Sequence, residues 1–166
     1  MSEVTEKTTG QKALEAYSRY KKLAEDGSLR SQLGKRLGSP EDLRLLPAFY
    51  RLFPEVTWLS EQEHQHTRYW QVRVAYIFPW CRHSDAVEST LGSQLAKAGI
   101  SEARFLQVFR AEYPNDLIQL RRLCQQVEPI VNWEKLGTTL YYWNERSKCD
   151  LLEDFFITSH QNTHTK

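Results

Sequence analysis

Two short stretches of this sequence place metal-binding residue types close together. The first is Glu63-His64-Gln65-His66, and the second contains Cys81 and His83. A helical zinc site needs two histidines four positions apart so that both face one ion, whereas His64 and His66 are two apart. Cys81 and His83 are not accompanied by the C-x-x-C pair typical of structural zinc sites. We therefore expect no metal ion and no other cofactor.

The sequence offers no arrangement of residues typical of an enzyme. It contains no G-x-S-x-G nucleophile motif, no Walker phosphate loop and no dinucleotide fingerprint. The carboxylates are scattered or stand at helix starts, where capping explains them without acid–base chemistry. A small hydrolase or nuclease therefore has no support, and we expect a protein without catalytic activity.

Arginines on helix surfaces are the residues best suited to a function here. Between Ser101 and Trp133 the sequence predicts two helices joined at Tyr113-Pro114-Asn115, with Ser101 as the first N-cap. At 3.6 residues per turn, the apolar residues of each helix share one face. These apolar residues are Phe105, Leu106, Phe109 and Tyr113 in the first helix, and Leu117, Leu120, Leu123, Cys124 and Val127 in the second.

Arg104 and Arg122 then point away from the apolar faces, Arg110 lies on a flank, and Arg121 lies at a boundary. The planar guanidinium group suits bidentate contact with phosphate, which favours nucleic-acid binding. An ordinary solvated surface explains the same pattern. Trp70, Trp133 and Trp143 could stack on bases, but their apolar stripes favour the core.

Composition limits these alternatives. The chain has 166 residues, 40% of them hydrophobic, and a formal charge of only +1, so basic character must be local. The clearest local excess runs from Arg30 to Arg51, with five basic residues against two acidic ones. Three cysteines, no apolar signal segment and no run of membrane-spanning length predict a cytoplasmic protein with reduced thiols and no membrane partner.

The pattern of apolar residues predicts an all-α fold, because no segment alternates with a period of two. We expect two small helical bundles, an N-terminal one over residues 1–84 and a C-terminal one over residues 85–166. Helices are predicted from Lys12 to Ala24, Ser28 to Leu37, Ser60 toward Phe78, and Thr90 to Ala98. Asn132 and Ser147 are predicted to begin the last two helices, and Ser39-Pro40-Glu41-Asp42 is a strong helix start.

Several segments resemble the small subunit of type I-E CRISPR surveillance complexes, the CasB family of Cascade. The resemblance begins with SPEDLR and PAFYRL, which ends at Leu52, and continues through LGSQLAKAGISEARFLQVFRAE and LIQLRRLCQQVEPIVNW. It ends with LLEDFFITS at Leu151 to Ser159. The segments cover about three-quarters of the chain in a consistent order.

The resemblance implies a non-catalytic, all-helical subunit that acts in antiviral defence. It implies contacts with CRISPR RNA and with the target and non-target DNA strands, and with the backbone and large subunits of Cascade. A second copy of the chain is expected to associate head to tail. In such complexes base pairing reads the sequence while the protein contacts the sugar–phosphate backbone, which stabilises the R-loop.

Basic positions in the matching segments are the predicted nucleic-acid contacts. They are Lys35, Arg36, Arg104, Arg110, Arg121, Arg122 and Arg146. Arg121 ranks below the other arginines because its helical position is closer to the buried stripe. Tyr113-Pro114 stands where a further basic residue is expected. The alternative is a helical scaffold or adaptor whose arginines make only protein–protein contacts.

Overall fold

The computed structural model of the protein describes residues 6–54 and 61–164. Within these ranges the α-helices are α1 (Thr9–Leu23), α2 (Gly27–Gly34), α3 (Pro47–Leu52), α4 (Glu61–Ile77), α5 (Leu91–Lys97), α6 (Glu102–Arg110), α7 (Asn115–Val127), α8 (Trp133–Tyr141) and α9 (Glu145–His164). Short 3₁₀ helices span Pro40–Leu45 and Phe78–Trp80. The predicted all-α class is confirmed.

Two very short strands join distant parts of the chain. Strand β1 (Arg82–His83) pairs in parallel with β2 (Ile130–Val131), with Arg82 opposite Ile130 and His83 opposite Val131. Two residues are too few to show the alternation by which a strand is recognised in sequence. The pair was therefore not predicted from the sequence.

Local capping chemistry decides several helix boundaries. Helix α1 begins at Thr9 rather than at Lys12, because the Thr8 hydroxyl accepts from the Gln11 N–H (3.2 Å) while Thr8 N–H donates to the Gln11 side chain (2.9 Å). Helix α9 begins at Glu145 rather than at Ser147, since the Asn144 side chain accepts from Ser147 N–H (3.0 Å). Helix α2 ends at Gly34, three residues before the predicted end. The predicted cap Ser60 lies outside the described residues.

Helix α1 packs very closely on α8, at positions occupied by glycine. A Cβ at Gly10 would lie 2.6 Å from the carbonyl oxygen of Glu134, and a Cβ at Gly137 would clash with the Cβ of Ala13. The Gly137 carbonyl also accepts from the Trp70 indole N–H of α4 at 2.9 Å. The predicted division into bundles 1–84 and 85–166 stays a prediction, and the contact of α1 with α8 crosses its boundary.

Aromatic side chains fill the centre of the core. Trp133 is fully buried, stacks on Tyr17 with ring centroids 5.5 Å apart, and meets Phe78 edge-on at 4.7 Å. Its indole N–H donates to the carbonyl of Cys81 at 3.1 Å, which satisfies the buried polar group. The core assignment is confirmed for Trp70 and Trp133, whereas Trp143 is half-buried against the core.

We expect Gly137→Ala to destabilise the protein by about 1–3 kcal/mol, because the added methyl group overpacks the α1–α8 contact. The free energy of unfolding in urea, followed by far-UV circular dichroism, measures the effect. Gly34→Ala is the matched control, since a Cβ at that position meets no atom of another described part of the chain within 4 Å. Equal stability of the two variants would contradict the close α1–α8 packing.

Candidate nucleic-acid interface

Helices α6 and α7 hold four of the predicted contact residues, Arg104 and Arg110 in α6 and Arg121 and Arg122 in α7. The Ser101 hydroxyl accepts from the Arg104 backbone N–H at 3.3 Å, which confirms the predicted N-cap and places Arg104 in the exposed first turn. In α7 the buried residues Leu117, Leu120, Leu123 and Cys124 fix the orientation of the helix. Arg122 is consequently exposed.

The predicted apolar face of α6 needs a correction. Phe105 is buried, but Val108 is the other buried residue of this helix, and Leu106 and Phe109 are only half-buried. Phe105 stacks on Phe155 of α9 with centroids 4.2 Å apart, which turns α6 toward α9. Tyr113 lies beyond the helix, is 44% exposed, and its hydroxyl donates to Glu41 at 2.5 Å. The buried face of α6 is therefore determined by the helix against which it packs, α9.

Two grooves meet at Arg122. The first has a volume of about 270 Å³, lies between α6 and α7, and is lined by Arg104, Gln107, Val108, Gln119, Arg122 and Leu123. The second has a volume of about 340 Å³ and lies between the end of α2 and α7. It is lined by Gly34, Arg36, Leu37, Tyr76, Trp80, Ile118, Arg121, Arg122 and Gln125. We call these two adjoining grooves the basic track.

The exposed arginines of the basic track carry no local countercharge. Within the described part of the chain, no carboxylate lies within 4.0 Å of the guanidinium groups of Arg36, Arg104 or Arg122. Among the residues that the structure describes, neither groove has an aspartate or glutamate in its lining. An exposed and unpaired guanidinium keeps its donors available for an external anion. The track is therefore a local positive surface on a nearly neutral protein.

The remaining predicted contacts lie elsewhere on the surface. Arg110 lines a separate groove of about 680 Å³, whose wall also carries Glu112, Asp116, Glu145 and Lys148. Asp116 there is 1% exposed and accepts from Lys148 at 2.7 Å. Arg146 is exposed in the first turn of α9, and Lys35 is exposed just after α2; the lining of the basic track includes neither residue.

Arg121 lies in the interior, unlike the other predicted contacts. It is 3% exposed, and its Nη2 donates to the carbonyl oxygens of Leu33 (3.1 Å) and Lys35 (3.2 Å) at the end of α2. Its guanidinium carbon lies 4.2 Å from the centre of the Tyr76 ring, in cation–π geometry. Burial lowers the pKa of Arg121, because desolvation disfavours the charged form. The side chain thus joins α7 to α2 and α4.

Sequence reasoning missed six residues that line the second groove: Gly34, Leu37, Tyr76, Trp80, Ile118 and Gln125. One signal was available, because Ile118, Arg121, Arg122 and Gln125 share the i, i+3, i+4, i+7 pattern of a single helix face. Nothing in the sequence indicates that the end of α2 packs beside that face.

Two histidines of the stretches tested for metal binding, His66 and His83, have structural partners. His83 Nδ1 accepts from the Trp133 backbone N–H at 3.2 Å, and its Nε2 contacts Asp85 at 2.8 Å. His66 packs edge-on against Tyr141 with centroids 4.5 Å apart. Over residues 6–54 and 61–164, no three histidine, cysteine or acidic side chains are grouped as a metal site would require.

Among the helices of these same ranges, none is sufficiently long and apolar to span a membrane.

Replacing Arg121 by methionine should cost about 2 kcal/mol of stability, because the carbonyls of Leu33 and Lys35 lose their charged donor. Arg122→Met, one position along the helix and exposed, is the control and should change stability by no more than about 0.5 kcal/mol. Urea unfolding of both variants measures the difference. If Arg121→Met unfolds at the wild-type urea concentration, the structural role of Arg121 is refuted.

Comparison with known proteins gives a consistent result. Residues 25–156 match the family described as CRISPR-associated protein Cse2. The chain is 34% identical over 140 residues to the CRISPR system Cascade subunit CasB of Escherichia coli K12, which covers 77% of this chain and 84% of that protein.

A solved structure shares the fold. A chain in the crystal structure of E. coli Cascade bound to a PAM-containing double-stranded DNA target superposes with a TM-score of 0.77. It is 33% identical in sequence, and the match covers 88% of this chain and 97% of that one. At 33% identity the two superposed chains are related proteins, and their likeness is more than a shared fold between unrelated sequences.

Proposed function

Because the chain belongs to the Cse2 family of CRISPR-associated proteins, the family of CasB, we propose that it is a non-catalytic small subunit of a type I-E Cascade complex. In this proposal it contacts the hybrid of CRISPR RNA and target DNA, and the displaced DNA strand, through exposed basic side chains. It stabilises the R-loop in antiviral defence. Its protein partners are the backbone and large subunits of Cascade and a second copy of the chain, arranged head to tail.

One observation carries the proposal of nucleic-acid contact. Arg36, Arg104 and Arg122 lie along two adjoining grooves whose described lining residues include no carboxylate, on a protein whose formal charge is only +1. A positive surface of this kind attracts the phosphate backbone irrespective of sequence. Arg110, Arg146 and Lys35 would add contacts outside the basic track.

The energetics of strand exchange make such contacts effective. An RNA–DNA hybrid is about as stable as the DNA duplex that it replaces, so opening of the target is nearly balanced in free energy. A few phosphate contacts can then decide whether the open state persists. Because arginine is charged at all physiological pH values and its donors form a planar fork, each contact is available without prior protonation.

Replacing both Arg104 and Arg122 by alanine should weaken the R-loop to a similar degree on targets of different sequence, because phosphate contacts carry no sequence information. The slope of log affinity against log salt should become shallower by about 0.7 for each lost single-strand contact. Reconstituted Cascade, containing either the variant or the wild-type chain, is titrated with labelled target DNA at several salt concentrations.

The double variant Lys12→Ala/Lys97→Ala is the matched control, since it removes the same charge from exposed positions outside the basic track. It should leave affinity and slope close to the wild-type values. The scaffold alternative is supported instead if the arginine double variant assembles normally and retains both wild-type affinity and wild-type salt slope.

A further inference from the structure

The floor of the second groove contains a buried cation with unused donors. In the described part of the protein, Arg121 Nε and Nη1 have no hydrogen-bond partner, although the residue is only 3% exposed. The third nitrogen, Nη2, is committed to the end of α2. Buried donors are almost always satisfied, because leaving one unpaired costs about 1–3 kcal/mol. Arg121 lines the groove, so a ligand within it can supply the missing acceptor.

The surroundings of Arg121 select the kind of ligand. Arg36 and Arg122 line the same groove and are exposed, so they form its rim. Trp80 also lines the groove, and in the described residues its indole N–H is likewise buried without a partner. Gln125 adds an amide, and the described residues of the lining include no carboxylate. Converging donors, three of them cationic, favour a compact anion with several acceptor oxygens.

Arg121 is also fixed in position before any ligand arrives. Its contacts with the carbonyls of Leu33 and Lys35, together with the ring of Tyr76, restrain the guanidinium group. Binding to a restrained side chain sacrifices little conformational entropy, whereas an exposed arginine must give up several rotamers. Arg121 at the floor of the groove is therefore better preorganised to bind an anion than the exposed arginines at the rim.

We propose that the groove between α2 and α7 is a binding site for one phosphate group, held by Arg121 from the floor and by Arg36 and Arg122 from the rim. The source that we infer is a phosphodiester of bound nucleic acid, so this proposal rests on the proposed function. A phosphate seated at a fixed depth would set the position of the strand along the basic track, while the exposed arginines hold its neighbours.

Gly34 provides a test that leaves the core untouched. It lines the groove, and a Cβ added there meets no atom of another described part of the chain within 4 Å. Gly34→Glu brings a carboxylate to the groove, where it should compete with phosphate for the guanidinium donors. Gly34→Gln has the same size without the charge. Gly27→Glu adds the same charge at an exposed helical position outside the groove, where a Cβ also meets nothing within 4 Å.

The first measurement titrates the full-length chain with inorganic phosphate, using chloride at matched ionic strength as the reference. Nitrogen–proton NMR spectra follow the Arg121 Nε–H and the Trp80 indole N–H, each assigned by substitution. Both resonances should shift and saturate in the wild type, in Gly34→Gln and in Gly27→Glu. In Gly34→Glu the apparent affinity for phosphate should fall at least tenfold.

The second measurement titrates the same proteins with oligothymidylate, which separates nucleic acid from free phosphate as the source. Gly34→Glu should show a salt slope shallower by about 0.7 than that of Gly27→Glu, corresponding to one lost single-strand contact. The wild type and Gly34→Gln should share one slope. The Arg104→Ala/Arg122→Ala variant, titrated with oligothymidylate in the same way, measures the contribution of the exposed arginines of the track separately from that of Arg121.

The outcomes distinguish this site from the proposed function. If oligothymidylate binds in an Arg122-dependent manner but phosphate leaves the Arg121 and Trp80 resonances unchanged, the phosphate site is refuted and the basic track stands. If phosphate binds in the groove and oligothymidylate does not, the ligand is a free phosphate, and the nucleic-acid source is refuted. If neither ligand binds, both proposals fail.

Discussion

A single buried guanidinium group holds together the part of the molecule on which the basic track depends. Arg121 donates from α7 to the carbonyls of Leu33 and Lys35 at the end of α2, and lies over the ring of Tyr76 from α4. A helix end carries a partial negative charge, so a cation placed there is favoured electrostatically. These two hydrogen bonds and the ring contact connect the three helices where their surfaces meet. The second groove is the surface that this contact creates.

The same interaction explains how a protein of almost neutral charge presents a positive surface. Acidic and basic residues are nearly equal in number, 21 against 22, so any positive region requires that carboxylates lie elsewhere. The structure achieves this separation along the track, while Glu112, Asp116 and Glu145 line a different groove together with Arg110. The electrostatics of the interface are therefore decided by packing rather than by composition.

Features governed by neighbours in sequence could be predicted. The caps at Ser101 and Asn132 follow from side chains that reach a backbone N–H two or three residues away. The buried face of α7 follows from helical periodicity, and the same periodicity placed Arg121 near the interior. The resemblance to the small-subunit family selected the basic residues that are predicted to contact nucleic acid, and those contacts stay a prediction.

Features governed by distant contacts could not be predicted. Arg121 reaches a carbonyl 86 residues away in sequence, and no local pattern indicates that partner. The buried face of α6 depends on Phe155 of α9, which is why Val108 rather than Tyr113 enters the core. Trp80 entered the groove for the same reason, since its position follows from a 3₁₀ turn packed between helices.

The close packing of α1 on α8 has a consequence for synthesis of the chain. The face of α1 that carries Ala13, Ala16 and Tyr17 has its main partner more than a hundred residues later in sequence. At translation speeds of about 5–20 residues per second, this apolar face stays uncovered for on the order of ten seconds as the ribosome proceeds. During that interval the nascent N-terminal helix is a natural substrate for chaperones.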